Sequence, residues 1–219
     1  MAMTVTLLAQ AALPTRSGDF RIAVYRTSES PDEIVAVWCG AIDDGRPVLV
    51  RLHSECLTGD VLGSRRCDCG EQKEEALARI AAEGRGVFLY LRQEGRGIGL
   101  ANKIRAYEQQ DRGLDTVDAN LVLGLPVDAR DYAAAAAVLR AMGVTAVRLL
   151  TNNPAKQRAI EAGGLPVTER VPLLVRPNAY NIAYLRTKAT RMAHDLPLDE
   201  QAELPADWQA LSDGPDNPE

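Results

Sequence analysis

Three of the chain's four cysteines lie in one short stretch, C-L-T-G-D-V-L-G-S-R-R-C-D-C-G-E-Q, which covers residues 56–72. The spacing, C-x10-C-x-C, is not the C-x-x-C pair of a common zinc finger or redox motif. Cys56, Cys67 and Cys69 can converge on one metal ion if glycines such as Gly59 let the intervening loop fold back. Cys69 precedes a predicted helix, whose N-terminus favours the thiolate that binds zinc. The spacing therefore favours a zinc site over a disulfide.

The number of ligands would decide what such a zinc does. A structural site is normally closed by four protein ligands, whereas a catalytic site keeps one position open. Cys39 lies in the apolar run A-V-W-C-G-A and is interpreted as a core residue, and His53 is the other candidate ligand. Three thiolates with Zn²⁺ carry a net negative charge, so bound water would be less acidic than on a zinc held by histidines. A nearby carboxylate base would help.

The segment V-R-L-H-S-E directly before the first cysteine places Arg51, His53 and Glu55 at alternate positions of a predicted strand. A His and a Glu beside cysteines is similar to the zinc deaminases, in which His is a ligand and Glu shuttles protons. Their P-C-x-x-C motif is absent, so this match is partial. A zinc-dependent nucleobase or nucleoside deaminase is therefore the alternative function. A zinc-stapled binding module without catalysis is a third.

Two further segments have residues that could bind a nucleotide. In L-R-Q-E-G-R-G-I-G-L-A-N-K, glycines allow close backbone approach, Arg96 and Lys103 add positive charge, and Glu94 can accept two N–H donors from a guanine edge. T-N-N-P-A-K follows a predicted strand and opens a helix, which is the usual anion site of an open α/β sheet. There Thr151 could donate through its hydroxyl and Lys156 could meet a phosphate.

The composition of the chain predicts a globular protein and argues against membrane-spanning and nucleic-acid-binding classes. Nearly half of the 219 residues are apolar, and no apolar run approaches the length of about 20 residues that spans a bilayer. The net charge of −5 comes from residues 196–219, which hold seven acidic residues and no Lys or Arg. The nearly neutral remainder argues against a general nucleic-acid binder. The short apolar patch at the N-terminus has no basic segment before it, which favours a frayed or short structured start over a signal peptide. Sparing use of cysteine favours the cytoplasm.

The periodicity of the chain predicts an α/β fold. D-F-R-I-A-V-Y-R, E-I-V-A-V-W-C-G-A and P-V-L-V-R-L-H predict a meander of strands, and G-V-F-L-Y-L and A-V-R-L-L-T predict two buried strands. V-D-A-R-D is interpreted as a helix start. The prediction is a single domain with a mixed β-sheet flanked by helices and antiparallel strands in its N-terminal part. The predicted helices cover residues 70–84, 100–110, 129–143, 153–164 and 181–194.

Four ordered motifs together resemble the GTP cyclohydrolase II family: V-L-V-R-L-H-S-E-C-L-T-G-D-V-L-G-S-R-R-C-D-C-G-E-Q, Y-L-R-Q-E-G-R-G-I-G-L-A-N-K-I-R-A-Y, D-T-V-D-A-N with L-G-L-P-V-D-A-R-D-Y, and R-L-L-T-N-N-P-A-K. The resemblance implies a catalytic domain at residues 19–195 after an N-terminal extension at 1–18. The acidic residues and four prolines of 196–219 predict a mobile or loosely docked tail. A second catalytic domain, such as the butanone-phosphate synthase of some relatives, is not expected in this length.

The resemblance implies hydrolysis of GTP to 2,5-diamino-6-ribosylamino-4(3H)-pyrimidinone 5′-phosphate, formate and pyrophosphate, the first step of riboflavin biosynthesis. It implies one Zn²⁺ per chain held by Cys56, Cys67, Cys69 and a water, Mg²⁺ with the triphosphate, and a homodimer. Charge and the lengths of the apolar runs predict no nucleic-acid or membrane partner. The nucleotide contacts it implies are Arg51, Leu52, His53, Ser54, Glu55, Gln72, Glu94, Gly95, Arg96, Thr116, Thr151 and Lys156.

The resemblance also implies three catalytic side chains. Asp128 matches the proton acceptor, Arg130 the nucleophile, and Tyr107 a tyrosine near the reacting base. Arginine stays protonated at neutral pH, so attack by Arg130 on the α-phosphate would need Asp128 to remove a proton. Alternatively, Arg130 stabilises phosphoryl charge while water attacks. Both roles remain open from the sequence.

Overall fold

The computed structural model describes residues 3–198, so most of the predicted acidic tail, 199–219, lies outside the described residues. Within 3–198, seven strands form one sheet in the order β1-β2-β3-β5-β4-β6-β7. β1 lies inside the segment interpreted as an N-terminal extension and pairs along its length with β2. The domain boundaries stay predictions. The strands are β1 Val5–Thr15, β2 Gly18–Thr27, β3 Ser30–Cys39, β4 Val48–Ser54, β5 Gly86–Leu91, β6 Val147–Leu150 and β7 Val167–Val171.

The sheet is mixed, which confirms the predicted α/β class. β1, β2, β3 and β5 are antiparallel neighbours, and β4, β6 and β7 are joined in parallel, with β4 also parallel to β5. The prediction that P-V-L-V-R-L-H continues the meander was wrong, because β5 lies between β3 and β4. The reason is burial: six consecutive residues of β4 are buried, as expected of an interior strand covered on both faces.

The predicted helices are all present, with slightly different ends. The helix-start interpretation of V-D-A-R-D was wrong, because the helix that follows begins at Ala133, beyond both Asp128 and Arg130. β1, two short helices and β7 were not predicted. The two helices and β7 are too short for a clear period. The helices are α1 Leu57–Asp60, α2 Cys69–Glu83, α3 Leu100–Asp111, α4 Thr116–Val122, α5 Ala133–Ala141, α6 Pro154–Ala162 and α7 Ile182–Arg191, with a 3-10 turn at Glu94–Gly97.

The chain divides into two compact units. The first comprises residues 3–55, 73–92 and 131–173 and contains the whole sheet. The second comprises residues 56–72, 93–130 and, among those described, 174–198. It contains the cysteine stretch, α1, α3, α4 and α7. Each unit is described by itself.

Alternation along β4 sorts the core of the first unit into two layers. Val48, Val50 and Leu52 belong to an apolar cluster that also contains residues of α5 and α6. Leu49, the intervening residue, packs in a second cluster with Ile80 of α2. The same alternation puts Arg51 and His53 in phase with Leu49. Among residues 3–198, no helix is both long and apolar enough to cross a membrane.

Candidate metal centre and nucleotide site

The three cysteines of the opening motif meet in the second unit. The Sγ atoms of Cys56, Cys67 and Cys69 lie within 4.8 Å of one another, and those of Cys56 and Cys67 are 3.6 Å apart. All four cysteines of the chain are unbridged thiols. A tetrahedral zinc with Zn–S bonds of about 2.3 Å would hold its sulfurs about 3.8 Å apart. Three soft thiolate donors at this separation fit zinc.

Two glycines explain how the ten-residue excursion closes on itself. Cys56 precedes the single turn of α1, and the Asp60 carboxylate accepts a hydrogen bond from the Cys56 amide at 3.0 Å. A Cβ atom at Gly59 would lie 2.9 Å from the Cys67 sulfur, and one at Gly70 would lie 2.4 Å from the Gly59 carbonyl oxygen. Only residues without side chains let α1 approach the start of α2 this closely. The predicted role of Gly59 is therefore confirmed.

The thiols are electrostatically coupled. Hydrogen bonds from Cys67 and Cys69, helped by Lys103, lower the pKa of Cys56, whereas bonding to Cys56 raises the pKa of Cys67 to about 12. The pKa of Cys69 is also raised, first through its bonds to the other two thiols and then by burial. Cys56 is therefore the most acidic of the three thiols. Because a metal binds cysteine as the thiolate, metal binding at this cluster would be pH-dependent.

Asp68, between two of the cysteines, is only 1% exposed. Its carboxylate accepts hydrogen bonds from Lys188 Nζ at 2.7 Å and Gln72 Nε2 at 2.6 Å. Burial alone would lower the pKa of Lys188, but Asp68 raises it. The ammonium also lies 4.6 Å from the centre of the Tyr184 ring. These contacts fix the loop that carries Cys67 and Cys69. Gln72, a predicted nucleotide contact, contributes to this support.

Glu94 makes three contacts at the start of the 3-10 turn. Its carboxylate accepts from the Leu57 amide at 2.6 Å, its neighbour Gly95 at 2.7 Å and Lys103 Nζ at 2.9 Å. Gly95 and Arg96 both adopt left-handed backbone conformations, with φ of 61° and 62°. The carboxylate predicted to read a guanine edge is thus engaged with the chain itself and ties the turn to the residue after Cys56.

Tyr107 lies beside the cysteine cluster. Its hydroxyl is 3.3 Å from Thr58 Oγ1, which in turn is 3.6 Å from the Cys56 sulfur. Burial raises the pKa of Tyr107, and the guanidinium of Arg66 lies 5.0 Å from the ring centre. The phenol is therefore protonated at neutral pH and can donate a proton or a hydrogen bond near the metal position.

Asp128 and Arg130 form a two-point ion pair. Arg130 donates from Nε at 2.8 Å and from Nη2 at 2.5 Å to the two carboxylate oxygens. Burial opposes ionisation of Asp128, but the pair with Arg130 lowers its pKa. The segment between them is joined to the 3-10 turn, because the Ala129 amide donates to the Arg96 carbonyl at 3.0 Å.

The guanidinium of Arg96 stacks near an aromatic ring but leaves hydrogen-bond donors unused within the described residues. Its two terminal nitrogens are buried and make no hydrogen bond within residues 3–198. The guanidinium lies 5.8 Å from the centre of the Tyr184 ring and lowers the pKa of Asp128 further. Tyr184 and Thr116 also line a pocket of about 290 Å³ in the same unit. The second unit therefore offers unused donors and an open space for a ligand.

Polar residues of the first unit gather where β4 and β6 end. Arg51 Nη1 donates to the Leu150 carbonyl at 3.0 Å, and Lys156 Nζ donates to the Leu52 carbonyl at 2.8 Å. Thr151 Oγ1 accepts from the Asn153 amide at 3.0 Å at the start of α6. The carboxyl ends of parallel strands are the usual ligand edge of an α/β sheet.

The remaining predicted contacts of β4 are more enclosed. His53 is 2% exposed, with ring centres of Phe88 and Tyr90 at 5.4 and 5.6 Å. Ser54 Oγ is buried without a hydrogen-bond partner within the described part of the chain. Glu55 forms a 3.7 Å ion pair with Arg92.

The core interpretation of Cys39 is confirmed. Its thiol donates to the Ile80 carbonyl at 3.5 Å, and it packs against the second apolar cluster. Within residues 3–198, the group of side chains able to hold a metal consists of Cys56, Cys67 and Cys69.

Comparison with known proteins decides the family. A family model described as GTP cyclohydrolase II matches residues 6–172.

This chain belongs to the GTP cyclohydrolase II family.

Two relatives are both described as riboflavin biosynthesis protein RibBA. The protein from Salinispora arenicola is 57% identical over 211 residues, which cover 96% of this chain and 50% of the relative. The protein from Salinispora tropica is 61% identical over 191 residues, which cover 87% and 48%. The chain thus spans about half the length of the curated relatives it matches. A solved structure is described as RibBX, a two domain 3,4-dihydroxy-2-butanone 4-phosphate synthase from A. baumannii. It matches 68% of this chain and 34% of its own chain at 21% identity, with a TM-score of 0.36.

Some residues of this GTP cyclohydrolase II family member went unnoticed in the sequence. Thr58 was missed because α1 is a single turn, although its place two residues after a cysteine was a usable signal. Asp68 was missed because nothing local predicts burial of an aspartate between two cysteines. Lys103 was interpreted as a charge for an anionic ligand, whereas its ammonium contacts Cys56 and Glu94.

Proposed function

We propose that the chain hydrolyses GTP to 2,5-diamino-6-ribosylamino-4(3H)-pyrimidinone 5′-phosphate, formate and pyrophosphate, the first step of riboflavin biosynthesis. Family membership supports this reaction. The observation that carries it is the three-sulfur cluster with the hydroxyl of Tyr107 reached through Thr58. Opening of a purine ring needs both an activated water and a proton donor, and this cluster and phenol supply a site for each.

Cys56, Cys67 and Cys69 would hold the Zn²⁺, which when bound supplies an activated water and polarises the reacting carbon. Tyr107 stays protonated near neutral pH, because burial raises its pKa, and donates a hydrogen bond or a proton toward the ring that opens. Thr58 orients that hydroxyl. Asp68, bonded to Lys188 and Gln72, keeps the loop of the last two ligands in place.

Arg130 and Asp128 would serve the triphosphate, together with Mg²⁺. The ion pair supports charge stabilisation by Arg130, because a guanidinium bonded to a carboxylate at two points stays protonated. Direct attack by Arg130 would first require Asp128 to take a proton, and the lowered pKa of Asp128 makes it a weak base. The unbonded terminal nitrogens of Arg96 are further donors for a phosphate or a purine edge.

Within the first unit, the proposed nucleotide contacts lie at the carboxyl ends of β4 and β6. We assign Thr151 and Lys156 to phosphate binding. Thr151 lies shortly before α6 and Lys156 lies in its first turn, where backbone N–H groups also favour anions. The segment 51–55 would line the nucleotide from the end of β4. We further propose a cytoplasmic homodimer. Sedimentation at several protein concentrations would test it, and a mass of one chain throughout would contradict it.

The deciding experiment incubates the zinc-loaded protein with GTP and Mg²⁺ and follows the pyrimidinone by absorbance and mass, with separate assays for formate and pyrophosphate. We expect equal amounts of formate and pyrophosphate. Ammonia in place of formate would instead identify a deaminase. Cys56→Ser should abolish formate release while pyrophosphate release continues. Full formate release by that variant would contradict the role given to the metal.

A further inference from the structure

We propose that Lys103 is a positioning residue of the metal centre, which balances the charge of the Cys56 thiolate and, through Glu94, fixes the backbone beside it. The inference rests on the proposed zinc site. It concerns the metal's surroundings rather than its ligands, and it gives Lys103 a role other than binding the substrate's anionic groups.

Two contacts place the ammonium. Lys103 Nζ lies 3.0 Å from the Cys56 sulfur and 2.9 Å from Glu94 Oε1. The side chains of Lys103 and Glu94 are only 11% and 10% exposed. Little solvent screens charges this buried, so the attraction between the ammonium and the carboxylate is much stronger than in a surface pair.

The partner of Lys103 grips the same stretch of chain. The other oxygen of Glu94 accepts from the Leu57 amide at 2.6 Å, and Leu57 directly follows Cys56. Lys103 therefore contacts the Cys56 sulfur, and the Glu94 carboxylate holds the next peptide group. Together the two side chains fix the position of Cys56, the first of the three cysteines along the chain.

The positive charge of Lys103 would also affect the reactivity of the proposed zinc site. Zn²⁺ with three thiolates carries net negative charge, which weakens it as a Lewis acid. An N–H···S hydrogen bond from a cation draws electron density from the sulfur and so restores part of that acidity. Lys103 thereby offsets part of the Lewis acidity that the zinc loses by binding three thiolates.

The test compares Lys103→Met with Arg112→Met. Arg112 ends the same helix, is exposed, contacts Gln109 and loses an equal charge on substitution. Zinc affinity is measured by chelator competition, and the sulfur-to-metal charge-transfer band is measured after replacement of zinc by Co²⁺. We expect Lys103→Met to bind zinc about 10- to 100-fold more weakly and to move the band to lower energy. Arg112→Met should change neither quantity, and Lys103→Arg should recover most of the affinity.

Unchanged affinity in Lys103→Met would overturn the proposal. Weaker affinity with an unmoved band would also overturn it, because the contact would then be only structural. Should Lys103→Met not fold, Lys103→Gln carries the same test, since it keeps an N–H donor but loses the charge, with a smaller band shift expected. Neither readout uses GTP, so failure of the proposed hydrolysis and failure of this inference are separate results.

Discussion

Asp128 and Arg130 are joined by two parallel hydrogen bonds, although only one residue separates them and neither lies in a helix. The Arg130 amide adds a third contact to Asp128 Oδ1 at 3.1 Å. Asp128 therefore fixes the orientation of the Arg130 guanidinium. While the ion pair is intact, Asp128 is a poor proton acceptor, because its pKa is lowered.

Acid should weaken the contribution of this pair to stability. The folded-state pKa of Asp128 lies below its unfolded value, so its stabilisation is present above the unfolded pKa of about 3.9 and is lost as pH falls through the folded pKa. Asp128→Asn removes that contribution. The melting temperature of the parent chain should therefore exceed that of the variant near neutral pH, and the gap should close below about pH 4. Thermal denaturation across this range measures it. A gap that is constant with pH would contradict the assignment.

Tyr107→Phe should separate the two halves of the proposed reaction. The variant keeps the ring that packs beside Arg66 but loses the hydroxyl that contacts Thr58. A positioned proton donor contributes about 100- to 10,000-fold in rate, so formate release should fall within that range while pyrophosphate release is little changed. Assay of both products from one incubation measures the ratio. Equal losses of both products would instead place Tyr107 in nucleotide binding.

Gly59→Ala should disrupt the candidate metal centre without replacing a ligand. Its new methyl group would lie 2.9 Å from the Cys67 sulfur and 3.3 Å from that of Cys56, so the cluster must shift to make room. We expect zinc affinity to fall by about tenfold or more, measured by metal analysis after dialysis against a chelator.

Gly63→Asn is the matched control for that prediction. Gly63 lies in the same loop with open space around it and a left-handed φ of 66°, which asparagine tolerates. It should keep its metal. If both variants lost zinc equally, general loop strain rather than crowding of the sulfurs would explain the result.

Asn152→Ala should destabilise the first unit. The Asn152 amide donates to the Leu173 carbonyl at 2.8 Å and accepts from the Leu173 amide at 2.9 Å, and both residues are buried. Its removal leaves two buried backbone groups unpaired, at about 2 to 4 kcal/mol in total. Urea denaturation measures the loss. Gln157→Ala, which removes a solvent-exposed amide contact with Glu161, should change stability by less than about 0.5 kcal/mol.

Local sequence patterns were enough to predict the class of fold and a candidate metal centre. Cysteine spacing indicated three metal ligands, and the periodicity of the longer helices and buried strands was sufficient to predict a mixed α/β sheet. These features are local, because a helix period, an alternating strand or a ligand motif is written in consecutive residues. Four ordered motifs were enough to indicate the family that the comparisons later identified.

Tertiary contacts, rather than local patterns, show which polar side chains bond to other parts of the chain. No local pattern shows that Glu94 contacts Leu57, that Lys103 reaches Cys56, or that Asp68 is buried against Lys188. The same holds for β5, which pairs with β3 and displaces β4 from the meander. Such contacts join residues far apart in the chain, and they form because a buried charge or strand edge must find a partner wherever the fold places one.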